Sequence, residues 1–253
     1  MQPSSCLLVT PRAPRSARSL RYRDEKTFEP KFTYSGEKGP DHWHELGNGE
    51  NSLCASGTHQ SPIDLHAASA QHGSPTALTL QLHPYPNGTT MHNLGTTIEI
   101  PAHGTMREGN RTYHLVQFHF HTPSEHHLYG EYFPVEVHFV FQNPVDASRR
   151  ALGFFVELCA SQGCGEPLLE SIFGVVGTVA RPGMEASTGP LDFCRLVEHF
   201  KSNKIYRYSG SLTTPPCSEP IEWILSAAPV AIDAENFLLA KKVLGFNARP
   251  VQN

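Results

Sequence analysis

With 253 residues, 39% of them hydrophobic and 17% charged, the chain is long enough to bury a full core and mixed enough to be globular, as one domain or two. A formal net charge of −4 excludes the basic footprint of a nucleic-acid binder, and no run approaches the ~18 apolar residues of a membrane span. Six cysteines without a Cys-x-x-Cys pair argue against a thiolate zinc site, while 15 histidines fit metal or proton chemistry.

Residues 1–26 stand apart from the remainder, 27–253, which reads as the folded domain. Arg12, Arg15, Arg18, Arg21 and Arg23 sit among Ser and Pro with no acidic residue before Asp24. This composition matches an organelle transit peptide or a disordered basic tail, and it lacks the apolar stretch of a secretory signal. Gly36, Gly39, Pro40, Gly47 and Gly49 then mark loops around His42, Trp43 and His44. Strands are predicted over 77–83, 96–100, 112–118, Val135–Phe141 and Ala151–Leu158, spaced by Pro, Gly and Asn turns. Such spacing favours a large antiparallel sheet over βαβ units. A helix is predicted over 167–176, with Pro167 in its first turn and Leu168, Leu169, Ile172, Phe173 and Val176 on one face. A second covers 191–200, with Leu191, Cys194, Leu196 and Val197 inward. A third runs from an Asp233 cap to a Gly245 stop, with Phe237, Ala240 and Leu244 in phase. His66, His72 and His199 are expected at the surface.

The stretch Leu115–Phe141 carries the chemistry. Residues two apart on a strand share a face, so Gln117, His119 and His121 point one way. Glu136 and His138 do the same on the second run. A single strand histidine is usually structural. Three imidazoles on one face of two adjacent strands can instead converge on one ion, leaving a tetrahedral zinc its fourth position open for water. Gln117 and Glu136 could accept the remaining ring N–H groups. Further on, Leu212-Thr-Thr-Pro-Pro-Cys217 holds Thr213 and Thr214 rigidly before two prolines. That run is either a structural turn or the support for a hydroxyl that orients something at the metal. Two sequons, Asn87-Gly-Thr89 and Asn110-Arg-Thr112, are compatible with secretion.

Together these motifs resemble the α-class carbonic anhydrases. Gln117-Phe-His119-Phe-His121, Ser124-Glu125-His126 and Val135-Glu136-Val-His138 match that family's zinc motif, and Ser211-Leu-Thr-Thr-Pro-Pro216 its active-site loop. Gly39-Pro-Asp-His-Trp43, Gln60-Ser-Pro-Ile-Asp64, Tyr208-Ser-Gly210 and Asn247-Ala-Arg-Pro250 follow in the family's order, so the likeness covers about residues 30–252. It implies a mainly β fold, a central twisted and mostly antiparallel sheet of about ten strands with a few short peripheral helices. It implies reversible hydration of carbon dioxide to bicarbonate and a proton by a zinc-bound hydroxide, with weak esterase activity beside it. His119, His121 and His138 become the zinc ligands. Gln117, Glu136 and the backbone carbonyl of Asn247 become their outer partners. Thr213 would accept from the hydroxide and donate to Glu125, while its N–H faces an anion oxygen. Val140, Ala151, Leu212, Thr214, Ile221 and Trp223 would line the substrate pocket, with Ala151 smaller than the usual residue. Sulfonamides and small anions are the expected inhibitors.

The likeness fails at the proton exit. The position that holds a shuttle His in the fastest relatives is Thr96, which cannot titrate near pH 7. His92, His103 and His114 are the nearby candidates, and slower, buffer-dependent turnover is expected. Secreted relatives join a Cys before the QSP segment to one after TTPP, and Cys54 and Cys217 fit both places. That pairing favours a secreted or lumenal protein, with organelle targeting by the basic N-terminus as the alternative. Cys159 and Cys164 form a second bridge or remain free thiols. Two other readings compete: a catalytically dead binding module, which typically lacks a zinc His, and another zinc hydrolase, against which the absence of His-Glu-x-x-His argues. Oligomeric state is not legible.

Overall fold

The computed structural model describes residues 28–161 and 163–252, so the Arg-rich segment 1–26 lies outside the described residues. Among these, fourteen strands form: β1 (Asp64–Leu65), β2 (Gln71–Gly73), β3 (Leu78–Leu82), β4 (Thr90–Asn93), β5 (Ile98–Pro101), β6 (Gly104–Glu108) and β7 (Arg111–His121), then β8 (His127–Leu128), β9 (Val135–Gln142), β10 (Arg149–Leu158), β11 (Glu185–Ser187), β12 (Ile205–Gly210), β13 (Ile221–Ser226) and β14 (Val230–Ile232). Twelve belong to one sheet, whose central path runs β11-β4-β5-β7-β9-β10-β13-β12-β2. Most pairs are antiparallel; β10 runs parallel to both β13 and β14. The count exceeds the expected ten because three-residue strands such as β2, β11 and β14 are too short to show a sequence period.

Both faces of the sheet are covered, which is why β9 and β10 read as nearly continuous apolar runs. One face carries Phe118, Phe120, Phe139 and Phe154, packed beneath the helices. Phe118 and Phe139 stack at 4.9 Å between ring centres. Leu65, Ala151, Phe155, Ile221, Trp223 and Leu225 form a second cluster, on the face that holds the histidines. A short turn, α1 (Leu53–Ser56), precedes the sheet, and three longer helices cover its phenylalanine face: α2 (Pro167–Phe173), α3 (Cys194–Ser202) and α4 (Ala234–Leu244).

Helix ends show where local signals governed. Asp233 caps α4, its carboxylate accepting the Asn236 N–H at 2.8 Å, and Gly245 ends the helix at φ 65°. Helix α2 stops at Phe173, three residues short of the expected end, and a 3-10 turn follows over Val176–Val179. Gly174 and Gly177 weaken helical continuation there. The second helix starts at Cys194 instead of 191, because Leu191 is tied to Tyr85 in an isolated bridge and Asp192 accepts the Cys194 N–H. Its inward residues are Leu196 and Phe200, with Val197 packed alongside. His72 is exposed as expected, whereas His66 and His199 are half-buried, the latter bonded to the Ala228 carbonyl.

Candidate active site

Strands β7 and β9 pair antiparallel with His119 opposite His138 and His121 opposite Glu136. Directly opposed residues share a face, so the pairing brings the three imidazoles together. Their metal-facing nitrogens lie within 4.8 Å of one another, close enough to share one ion.

The other ring nitrogens are each engaged. His119 Nδ1 lies 2.9 Å from Gln117 Oε1, His121 Nδ1 donates to the Asn247 carbonyl at 2.7 Å, and His138 Nε2 donates to Glu136 Oε1 at 2.7 Å. Asn247 is held from three sides, by Thr122 N–H and by the carbonyls of Thr96 and Phe120. Glu136 is fully buried, yet each oxygen is satisfied. Oε2 accepts the N–H groups of Glu125 and His126 at 2.8 and 2.9 Å, and Oε1 takes the rings of His126 and His138. Burial pushes this carboxyl up, but the charges and hydrogen bonds of His126 and His138 outweigh it and hold it well below the usual range. Burial keeps His119 well below an ordinary imidazole pKa and, helped by repulsion from His138, lowers His121 to about 3. These rings are therefore neutral at pH 7, the form that ligates metal.

One atom tests whether a metal fits. His121 Nε2 is buried and has no protein hydrogen-bond partner. Such an orphan is costly unless something else satisfies it, and an ion shared with His119 and His138 would do so. A second group, His126, Glu136 and His138, also clusters within ligand distance. Its members already bond to one another, so it braces the first.

Thr213 is buried beside Glu125. Burial pushes the Glu125 carboxyl up to about 7, opposed by His138, by the Arg249 N–H on Oε1 at 2.9 Å and by the Thr213 side-chain hydrogen bond. The Arg249 contact was not visible in the sequence, since 124 residues separate the pair. His126, which appeared there only as the neighbour of Glu125, has its Nε2 2.6 Å from Tyr208 Oη, itself 2.7 Å from Ser61 Oγ. The loop bearing Thr213 is fastened by the Cys54–Cys217 disulfide, and Cys159 and Cys164 are bridged as well.

Above the histidines opens a cavity of about 420 Å³. Its floor rises in cross-strand tiers fixed by register. His119 and His138 form the lowest, Gln117, Val140, Ala151 and Trp223 the next, and Gln142, Arg149 and Ile221 the third. Leu212, Thr213 and Thr214 close one side and Glu99 and Pro101 another. Thr96, His92, His103 and His114 are not among the lining residues. His92 instead faces Glu185 at 3.2 Å.

Three imidazoles with their outer nitrogens satisfied, at the base of a half-apolar cavity in a twisted sheet, make the donor set of a mononuclear catalytic zinc enzyme. The chain matches the eukaryotic-type carbonic anhydrase family over residues 38–253. It is 36% identical over 239 residues to a carbonic anhydrase of Pectobacterium carotovorum, with 92% of each chain covered. The solved α-carbonic anhydrase of Aspergillus oryzae superposes with a TM-score of 0.83 at 40% identity, over 88% of this chain and 93% of that one. That of Thermovibrio ammonificans, solved in complex with the inhibitor sulfanilamide, gives 0.74 at 35% identity, over 89% and 96%. The protein thus belongs to the eukaryotic-type carbonic anhydrase family.

Proposed function

We propose that this chain catalyses the reversible hydration of carbon dioxide to bicarbonate and a proton, with His119, His121 and His138 holding a zinc ion. The observation that carries the proposal is His121 Nε2, buried, without a protein hydrogen-bond partner and converging with two further imidazoles. Zinc bound there supplies a Lewis acid that lowers the pKa of water to about 7, a value for which carbonic anhydrases are themselves the reference example.

The chain's own residues do the rest. Gln117, the Asn247 carbonyl and Glu136 fix the tautomer and orientation of each ring. Thr213 gives its hydroxyl hydrogen to Glu125, which leaves its oxygen free only to accept from the nucleophile and so aims that nucleophile's lone pair at the carbon. Its N–H faces a bicarbonate oxygen. Val140, Ala151, Leu212, Ile221 and Trp223, with Thr214 at their edge, give carbon dioxide an apolar seat. With no His among the cavity-lining residues beyond His119 and His138, the product proton passes to water and buffer. The small Ala151 leaves room for activated esters, which are hydrolysed slowly. Sulfonamides and small anions inhibit. Two disulfides and the exposed Asn87 and Asn110 support secretion or residence in an oxidising lumen, with glycosylation at either sequon.

The test is stopped-flow hydration alongside zinc analysis, on the native chain and on His121→Ala. Native protein should carry one zinc and hydrate carbon dioxide well above the buffer rate, and the variant should lose both. A fully zinc-loaded native sample without hydration activity would sink the proposal and leave a binding module on the same fold.

A further inference from the structure

Arg149 stands in the third tier of the cavity, opposite Gln142 on β9 and Ile221 on β13. It shares a face of β10 with Ala151, two residues on, and both line the cavity. Among the described residues no hydrogen bond, ion pair or aromatic partner engages its guanidinium. The neighbouring arginines differ. Arg150 bonds Glu108 and Glu222 at 2.7 and 2.6 Å, Arg207 pairs with the same two carboxylates, and Arg111 pairs with Asp146. Arg149 is thus an uncommitted cation on the apolar wall of a cavity in a chain of net charge −4.

Its distance from the histidines follows from register. Its partner Gln142 lies four residues beyond His138 on β9, about 14 Å along the strand. The cavity's carboxylate, Glu99, is opposite His119 on the lowest tier. Glu99 is thus offset from Arg149 by the same ~14 Å along the strands, and by three strand spacings, about 14 Å more, across them. A ligand whose head sits at the histidines and whose tail rises along Val140, Ala151 and Leu212 therefore runs toward the exposed Arg149 at the rim and away from Glu99.

We infer that Arg149 is an anion-recognising subsite at the cavity mouth, selecting ligands that carry a carboxylate or sulfonate about one benzene ring away from the group bound at the histidines. This rests on the zinc-site reading above. A planar guanidinium pairs such groups through two parallel N–H donors, which lysine cannot reproduce.

The experiment compares the dissociation constants of 4-carboxybenzenesulfonamide and its neutral isostere 4-carbamoylbenzenesulfonamide, measured calorimetrically on the zinc-loaded full chain and on Arg149→Gln. The ratio of ratios cancels the intrinsic acidity of the two sulfonamides. The native chain should favour the carboxylate about fivefold more than the variant does, as expected for a well-placed exposed charge pair. Raising salt to about 1 M, where screening acts within about 3 Å, should remove most of the native preference. Arg149→Lys should restore only part of it. An identical ratio in native and variant, or a native preference that salt does not reduce, overturns the inference. Failure of both sulfonamides to bind the native chain overturns the zinc-site reading instead. The salt series needs no variant, so the inference stands or falls even if Arg149→Gln does not fold.

Discussion

Replacing Cys54 and Cys217 by alanine should cost far more stability than replacing Cys159 and Cys164. The two bridges close loops of very different length, 163 residues against 5. In the chain-entropy description, releasing the longer loop frees the unfolded state by about 5 kcal/mol and releasing the shorter one by about 2 kcal/mol. For a chain of this size about 2–4 °C of melting temperature is lost per kcal/mol. The first variant should therefore melt roughly 10–20 °C below the parent and the second roughly 4–8 °C below it, scaling those two figures. Function should separate them as well. Gln60 Nε2 donates to the Cys217 carbonyl and the Cys217 N–H bonds the Thr214 carbonyl, so the 54–217 bridge anchors the turn that presents Thr213. Its loss should lower kcat while zinc content stays at one per chain, because no His ligand lies on that turn. The 159–164 pair leads from the far end of β10 toward α2, and kcat should not respond to it. Calorimetric unfolding, zinc analysis and stopped-flow hydration on both variants give the comparison. Equal losses from the two bridges, or a greater loss from the short one, would refute the loop-length reasoning.

Other outcomes follow from the same contacts. Thr213→Ala should retain zinc and lower kcat about a hundredfold, in line with the loss of one positioned hydrogen-bonding group in an active site; steady-state hydration with metal analysis checks this. Glu108→Gln should destabilise the fold by about 2 kcal/mol at pH 7, since the carboxylate serves both Arg207 and the buried Arg150. The hydrogen bond from Arg207 leads the effects that hold its pKa below the usual carboxylate value, so its contribution is complete above the ordinary range and fades as pH falls through the folded value. Urea midpoints of native and variant should accordingly converge on acidification; a gap as wide at pH 3 as at pH 7 would contradict the assignment. Hydration should speed up with added imidazole buffer, because Thr96, His92, His103 and His114 lie outside the cavity lining; a rate indifferent to buffer would show an internal proton path.

What the sequence determined by itself was whatever two-residue and helical periods encode locally. Alternation alone put Gln117, His119 and His121 on one face of their strand and Glu136 and His138 on one face of theirs. Asp233 and Gly245 marked the ends of α4 because capping is a contact within three or four residues. The shortest strands and the late start of α3 escaped, since sheet neighbours and a bridge to Tyr85 set them, while the early end of α2 was written locally in Gly174 and Gly177.

Tertiary structure alone decided how those faces meet. Register between β7 and β9 places His119 opposite His138, a one-residue slip of β9 would turn His138 to the other face, and no local signal records which register wins. The Asn247 carbonyl on His121, the Arg249 N–H on Glu125 and the bond between Cys54 and Cys217 join residues more than 120 positions apart. Closure of such contacts depends on the whole sheet having formed. The same holds for Arg149. In the sequence it is one of two adjacent arginines. In the fold, strand alternation sends Arg150 into ion pairs with Glu108 and Glu222 and leaves Arg149 uncommitted at the mouth of the cavity.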